Sequence, residues 1–527
     1  MIYHCEDHTC NYWDEGEKLP ERCPQCGRKL LRANEADMTG DDWTALGNTL
    51  WDAEASDKKR MVDCFRKAAY LGSAWGVCNL GICMEQGNGV EADPVQAFWL
   101  YQQAVEMGSL NAVCCLGVCY QYGIGTAPDA KQAAELYCKA AEYGSPRGQM
   151  LLARAFHDGI GVEADAAEAV YWVRAAAYQR YGEGMHRLGV CYEYGDGVEQ
   201  NWERAVHWFR EAAESGVGVA MTDLGYCYEK GCGVEQSWEQ AFSWYRRGAE
   251  CGDPVSMCNL GLCYQMGYGV EQNWQEAIKW YEQGAQCGDL QSMHNLACCY
   301  EHGEGVEQNM TEAIRWYTAA AEGGNADDMY ELGWQYDHGE GVEQDMKKAI
   351  CWYERAAEQN HPAAMNSLGE CYAMGRGVPR DLETAMEWYR RAAELGEAMA
   401  DYNMGWHLEQ AGKLSEAYTH YRKAADGNDD SAWWALGRFY ENGVVVAQDG
   451  KEARRCYETG EKLGSVKCKM RLARCKLLGI GGRRAKKAGL DLCRQALELA
   501  KESSEKEDYG YEAEMNLLRR TIAENES

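Results

Sequence analysis

Four cysteines near the start of the chain have the residue type and the spacing of a metal site. Cys23 and Cys26 flank a Pro-Gln pair, and Cys5 and Cys10 precede them. Two cysteines separated by two residues on a tight turn can place both thiolates on one ion, and a second pair completes a tetrahedron. The sequence therefore predicts a structural zinc site with Cys5, Cys10, Cys23 and Cys26 as its ligands. His8 is the alternative ligand in place of Cys5 or Cys10.

The segment that carries these cysteines resembles a rubredoxin or zinc ribbon. The likeness rests on Cys10–Asp14, Leu19-Pro20 and Cys23–Gly27, whereas the first cysteine pair is spaced by four residues rather than two. The resemblance implies a small ribbon over residues 1–35. Such a segment has little core, so metal binding would contribute roughly 10–16 kcal/mol to its folding. A redox iron centre is the alternative, and zinc is preferred because nothing else in the sequence indicates electron transfer.

The rest of the sequence has only weak catalytic signatures. Ser56-x-x-Lys59 matches the serine–lysine element of penicillin-recognising enzymes, but the accompanying motifs are missing. The recurring Gly-x-Gly-Val lacks the Lys-Ser/Thr that follows in a phosphate loop. We therefore predict a protein that is not an enzyme. The alternative is a hydrolase-like enzyme with its site in a groove of the repeats.

A repeat of 36 residues organises most of the chain. A Leu-Gly pair or a close variant occurs thirteen times, and nine successive intervals from Leu80 to Met404 are each 36 residues long. In one copy, Met257, Leu260 and Tyr264 recur at three- and four-residue steps, which places them on one face of a helix. The second half of the unit repeats that spacing. Each unit is therefore predicted to be an antiparallel pair of helices that gains stability by stacking on its neighbours.

Two further signals mark the ends of the helices in each unit. Paired glycines such as Gly303 and Gly305 can adopt positive φ angles and end the first helix. Asn273 and Glu276 have capping-box spacing, in which the first side chain accepts hydrogen bonds from free amides of the second helix.

The unit resembles the Sel1-like repeat, a relative of the tetratricopeptide repeat with a two-glycine loop. Its outline is A-x-x-x-L-G-x-C-Y-x-x-G-x-G-V-E-Q-N-W-x-x-A-x-x-W-Y-x-x-A-A-E-x-G. The resemblance implies an all-α fold, a right-handed α/α solenoid of about thirteen helical hairpins over residues 36–482. Capping helices are expected over 483–527 and the ribbon over 1–35. One interval, from Met404 to Leu436, is only 32 residues long, and Gln410–Lys413 replaces its glycine loop.

Charge and hydropathy exclude two classes of partner. The formal net charge of -30 would repel phosphate backbones, so we predict no nucleic-acid ligand. No stretch approaches the roughly 18 uninterrupted apolar residues of a membrane span. The polar start of the chain has no apolar signal-peptide core. We therefore predict no membrane contact and a cytoplasmic protein.

The 26 cysteines predict a reduced interior rather than a disulfide framework. Eight of them lie two residues after the Leu-Gly pair. Equivalent residues in stacked neighbours should be separated by a helix-packing distance, which exceeds the roughly 7 Å limit for a disulfide. We predict that they are small buried hydrophobes. They are Cys83, Cys119, Cys191, Cys227, Cys263, Cys299, Cys371 and Cys475.

Variation at fixed positions predicts a binding face. The residues three before and one after the invariant glycine share one side of the first helix, away from the repeated Leu and Tyr. The first helices of related solenoids line a concave surface, so the resemblance implies a groove that suits a non-catalytic scaffold or adaptor. Acidic residues four after the glycine favour a protein or peptide with basic residues. The predicted contacts are Tyr330, Trp334, Tyr402, Trp406, Tyr226, His186 and His294. The alternative is that the aromatic residues pack between repeats.

Overall fold

The computed structural model describes residues 2–5, 13–15, 30–32, 35–51, 55–506 and 512–526. These residues form three short strands, one 3-10 helix (Glu35–Asp37) and 27 α-helices. The chain divides into two compact units, Met1–Cys287 and Gly288–Ser527. Within each unit the helices are tandem hairpins, as the repeat predicts.

From α1 to α26, odd-numbered helices are the first helices of the hairpins and even-numbered helices are the second, and α27 follows the last hairpin. Helices α3 to α25 are each 13 residues long. No helix among the described residues is long and apolar enough to cross a membrane. The helices are α1 Gly40–Thr49, α2 Ala55–Tyr70, α3 Ala74–Gln86, α4 Pro94–Glu106, α5 Leu110–Tyr122, α6 Ala130–Glu142, α7 Pro146–Asp158, α8 Ala166–Tyr178, α9 Gly182–Tyr194, α10 Trp202–Glu214, α11 Gly218–Lys230, α12 Trp238–Glu250, α13 Pro254–Met266, α14 Trp274–Gln286, α15 Leu290–His302, α16 Met310–Glu322, α17 Ala326–His338, α18 Met346–Glu358, α19 Pro362–Met374, α20 Leu382–Glu394, α21 Ala398–Gln410, α22 Leu414–Asp426, α23 Asp430–Asn442, α24 Gly450–Lys462, α25 Val466–Leu478, α26 Lys486–Lys506 and α27 Glu512–Glu526.

Three short antiparallel strands precede the helices. β1 (Ile2–Cys5) lies between β2 (Trp13–Glu15) and β3 (Leu30–Arg32). The region that the sequence assigns to a ribbon thus contains a three-stranded sheet. The other residues before Glu35 lie outside the described residues.

The predicted caps and glycines set the ends of the helices. The Asn273 side chain accepts hydrogen bonds from the backbone N–H groups of Gln275 and Glu276 at the start of α14. α13 ends at Met266 and is followed by Gly267, which has a φ of 75°. A Cβ on Gly269 would collide with the carbonyl oxygen of Trp238 in the preceding hairpin. The first glycine of the loop therefore ends the helix, and the second lets a neighbouring backbone approach.

The core of a hairpin forms where a tyrosine of the second helix packs on the Leu-Gly pair. Leu260 and Tyr281 are buried, and a Cβ on Gly261 would lie 2.5 Å from the Tyr281 ring. Close packing therefore explains this helical glycine. The eight cysteines two residues further along are all buried, which confirms their predicted place in the core.

Candidate functional site

The predicted metal ligands lie in the part of the chain that is least described. Cys5 is the last residue of β1, whereas His8, Cys10, Cys23 and Cys26 lie outside the described residues. Among the residues that are described, no group of three His, Cys, Asp or Glu side chains could hold a metal ion. The zinc site therefore stays a prediction from the sequence.

The predicted binding face consists of two rows of side chains on the first helices. We number positions from the second residue of the Leu-Gly pair, so that the -3 row lies three residues before it and the +1 row lies one after it. His186 Nε2, in the -3 row, lies 2.7 Å from Asp223 Oδ2 on the next first helix. Thr222 Oγ1 donates to Asp253 Oδ2 at 2.6 Å. These contacts join neighbouring hairpins.

His294 has the most extensive polar contacts of the predicted -3 residues. Its Nδ1 lies 2.8 Å from Oδ1 of the fully buried Asp328, and its Nε2 lies 3.6 Å from the Cys298 sulfur. The hydrogen bond to Asp328, followed by the contact with Cys298, raises the pKa of His294 to about 10. Burial also raises the pKa of Asp328. The short contact favours the ion pair, with the proton on His294.

Cys298, His294 and Asp328 form a series of thiol, imidazole and carboxylate. An activated nucleophile in a hydrolase has the same series of contacts, so these residues are relevant to the hydrolase alternative. Cys298 lies in the interior of α15, where the neighbouring backbone N–H groups form helix hydrogen bonds and cannot stabilise an oxyanion. The Cys298 sulfur also lies 3.4 Å from the Tyr317 hydroxyl, which donates to Glu301. These contacts favour a bridge within the fold over a catalytic site.

Tyr330 and Tyr402 also pack within the fold. Tyr330 stacks on His361 with ring centroids 5.0 Å apart, and it lies beside Tyr353. The Tyr402 ring lies 5.6 Å from that of Tyr421, and burial raises the pKa of Tyr402 to about 12. Tyr330 thus contacts the next hairpin, as the alternative interpretation of the sequence expects, whereas the contact of Tyr402 with Tyr421 lies within one hairpin.

The +1 row is more open to solvent than the -3 row. Tyr226 is 44% exposed in the first unit, and Trp406 is 38% exposed in the second. Trp334 is half-buried and stacks on His338 with ring centroids 4.3 Å apart. These three side chains keep surface that a partner could cover.

The residues four after the glycine, which we call the +4 row, have a structural role that the sequence analysis did not predict. The Tyr245 hydroxyl donates to Glu229 at 2.8 Å, and equivalent tyrosines bond the +4 residue of several other hairpins. Asp337 instead pairs at 2.9 Å with Arg376 in the loop of the next hairpin. The recurrence of Glu or Gln 16 residues before the tyrosine is the sequence signal that could have revealed this pairing.

Glu193 departs from that pattern because the second helix of its hairpin carries Phe209, which has no hydroxyl, at the tyrosine position. Glu193 forms a hydrogen bond with Tyr194 instead, while burial and then the nearby Asp223 carboxylate raise its pKa. Tyr194 is 73% exposed, and Tyr226 lies close enough to influence it electrostatically. We call Glu193, Tyr194, Asp223 and Tyr226 the acidic tyrosine patch. It combines two carboxylates that repel each other with two exposed phenol rings.

Comparisons with known proteins show what the chain is similar to. One similar structure is the crystal structure of a protective antigen that is present in uropathogenic Escherichia coli strains and displays an SLR fold. The two sequences are 29% identical, the match covers 88% of this chain and 94% of that chain, and the TM-score is 0.55. A Sel1 repeat protein from Oxalobacter formigenes is 30% identical over 48% of this chain and 100% of that chain, with a TM-score of 0.44. No curated protein matches the chain. The Sel1 repeat family matches residues 76–109, 112–145, 146–181, 182–217, 218–253, 254–289, 290–325, 326–361, 362–397, 398–429 and 432–465.

Proposed function

This chain belongs to the Sel1 repeat family, and we propose on that basis that it is a non-catalytic scaffold for a protein or peptide with basic residues. Proteins built from Sel1 and tetratricopeptide-like repeats generally act as interaction scaffolds. Stacked hairpins present an extended surface on which side chains vary without disturbing the core. Because the fold alone does not specify a binding site, the partner-binding residues of this chain depend on the side chains that its own surface carries.

The acidic tyrosine patch is the observation that carries the proposal. Exposed aromatic rings are favoured anchors in protein interfaces. A Lys or Arg side chain of the partner would offset the repulsion between Glu193 and Asp223. His186 already contacts Asp223, and Lys230 pairs with Glu229. Glu193 is therefore the carboxylate that we assign to the cation of the partner.

Removal of both patch tyrosines tests this proposal. We expect the chain with Tyr194→Ala and Tyr226→Ala to stay folded and to lose proteins that the wild-type chain retains from its native cell. Tyr143→Ala is the matched control, because Tyr143 is 69% exposed and lies outside the patch. Affinity for a retained protein should fall by roughly 1–4 kcal/mol and should weaken as salt rises. Equal retention by the wild type and the double variant would contradict the proposal.

We propose Trp334 and Trp406 as further partner contacts within the second unit. Trp406 is exposed, with its ring centroid 4.7 Å from that of His407. The stacking of Trp334 on His338 orients its ring but leaves part of it open. A large, rigid ring buries much area against a partner at a low cost in entropy.

We also propose that Cys5, Cys10, Cys23 and Cys26 bind one structural zinc ion, on the strength of their sequence spacing. Protein purified without chelator should contain one zinc per chain by metal analysis. Cys23→Ser should release the metal and leave the helical circular dichroism signal intact. Metal-free protein that never met a chelator, or bound iron, would contradict this prediction. We place the protein in the cytoplasm, where thiols stay reduced.

A further inference from the structure

One position in the second helix fills the same space in nearly every hairpin. In nine of the thirteen hairpins of the described residues it is a fully buried tyrosine, and in two it is Phe65 or Phe209. The ring lies on the glycine of the Leu-Gly pair, as Tyr137 does on Gly117. The hydroxyl donates to the +4 residue in several hairpins, as that of Tyr137 does to Gln121 at 2.7 Å.

The hairpin of α7 and α8 lacks that ring. Val173 stands at the tyrosine position, Ala153 at the glycine position and His157 at the +4 position. A cavity of about 320 Å³ is lined by these three residues together with Val170 and Cys191. Its volume lies in the range of small-molecule sites.

The cavity has the surroundings of a tyrosine ring. In the hairpin of α17 and α18, the charges and dipoles that act on Tyr353 include those of Asp337, Cys371 and Arg376. His157, Cys191 and Asp196, which line the cavity, occupy the same three positions of the repeat. The pair that joins the two hairpins is also present, with the basic and acidic residues exchanged. His157 Nε2 lies 3.2 Å from Asp196 Oδ2, and at the same two positions of the repeat Asp337 pairs with Arg376.

In the other hairpin without an aromatic ring at this position, a later helix of the chain packs against the position. Cys493 replaces the tyrosine in α26, and it packs in one cluster with Leu477, Met515 and Leu518. The last two residues belong to α27. At Val173, by contrast, exposed Arg154 and half-exposed His157 border the cavity, so it opens to solvent.

The lining has the chemistry of a phenol site. Val170, Val173 and Cys191 are buried apolar residues of the lining, and Asp158 and Asp196 add carboxylates to it. Both carboxylates contact His157. A carboxylate oxygen can accept more than one hydrogen bond, so either carboxylate could also accept a hydrogen bond from a phenol hydroxyl. We propose that the cavity binds a tyrosine side chain of a partner protein, in the place that the chain fills with its own tyrosine in other hairpins. The assignment of this tyrosine to a partner protein rests on the proposed scaffold function.

Binding of p-cresol, the tyrosine side chain as a free molecule, tests the cavity without any partner. We expect p-cresol to bind the full chain saturably, to bind more tightly than toluene, and to shift the NMR signals of the Val170 and Val173 methyl groups. Val173→Tyr should fill the space and weaken p-cresol binding at least tenfold. This change is compatible with Ala153, because Ala297 faces Tyr317 in another hairpin. Val219→Tyr is the control, since Val219 is 49% exposed on α11.

No saturable p-cresol binding, or saturation without shifts of these methyl signals, would overturn the proposal. Unchanged affinity in folded Val173→Tyr would also overturn it. If Val173→Tyr does not fold, the methyl shifts of the wild-type chain decide the question. A failure here leaves the test of the acidic tyrosine patch untouched, because p-cresol binding involves no partner protein.

Discussion

At the scale of the residue, the buried tyrosines of the second helices contribute both a ring and a hydroxyl to their hairpins. In most of these hairpins the ring covers the glycine of the Leu-Gly pair, and in several the hydroxyl donates to the +4 side chain. At Gly117 the ring packs too closely for a side chain, since a Cβ there would lie 2.5 Å from the Tyr137 ring, although Ala297 faces Tyr317 in another hairpin. Where the hydroxyl is present, it stabilises the hairpin because the +4 residue is partly buried and would otherwise lose a hydrogen bond.

A pair of opposite substitutions measures the hydroxyl alone. Tyr137→Phe removes the donor to Gln121 and should lower the free energy of unfolding by about 1 kcal/mol. Phe209→Tyr supplies a donor beside Glu193 and should not lower that free energy. Urea unfolding followed by circular dichroism checks both changes. If the two variants shifted the unfolding midpoint equally, the hydroxyl would have no specific role.

At the scale of the element, the hairpins could be predicted because every unit repeats the same local signals. Periodicity located the helices, the glycine pairs located their ends, and Asn273 marked the start of α14 in the structure as well. The same spacing could not separate the -3 row from the +1 row. Both rows lie on one side of the first helix, and only the path of the next hairpin shows that Tyr330 meets His361 while Trp406 meets solvent.

The shortened hairpin shows the same limit of sequence patterns. Gln410–Lys413 predicts a tighter turn, and α21 and α22 are indeed joined through Gly412, whose φ is 76°. The Lys413 N–H donates to the Leu408 carbonyl at 2.9 Å, which closes the turn without the two-glycine loop. Turn residues predict a local geometry, whereas the contacts that the turn permits depend on tertiary packing.

At the scale of the whole molecule, a repeat outline reports what the hairpins share, while the candidate sites lie where one hairpin departs from it. Phe209 leaves Glu193 without the usual tyrosine, and Val173 leaves a cavity where other hairpins have a ring. Both departures are visible in the sequence. Whether such a departure leaves an open site depends on which neighbouring residues pack against it, as residues of α27 pack against Cys493. The predicted zinc ribbon has no repeated pattern to support it and depends on one short motif around four cysteines.

The buried cysteine row gives the whole molecule a defined response to alkaline pH. Burial raises the pKa of these thiols from 9.0 to about 11 or 12, as for Cys83 and Cys263. An unfolded thiol ionises near pH 9, whereas a folded one keeps its proton, so unfolding releases protons above that pH. The stabilisation is therefore complete below about pH 9 and is lost as pH rises towards 12. We expect the urea midpoint of reduced protein to fall steadily between pH 9 and 10.5. Replacing Cys227 and Cys263 with alanine should make that fall shallower, because two fewer raised pKa values contribute. A parent protein whose midpoint did not change across this interval would show that the thiols ionise as readily when folded as when unfolded.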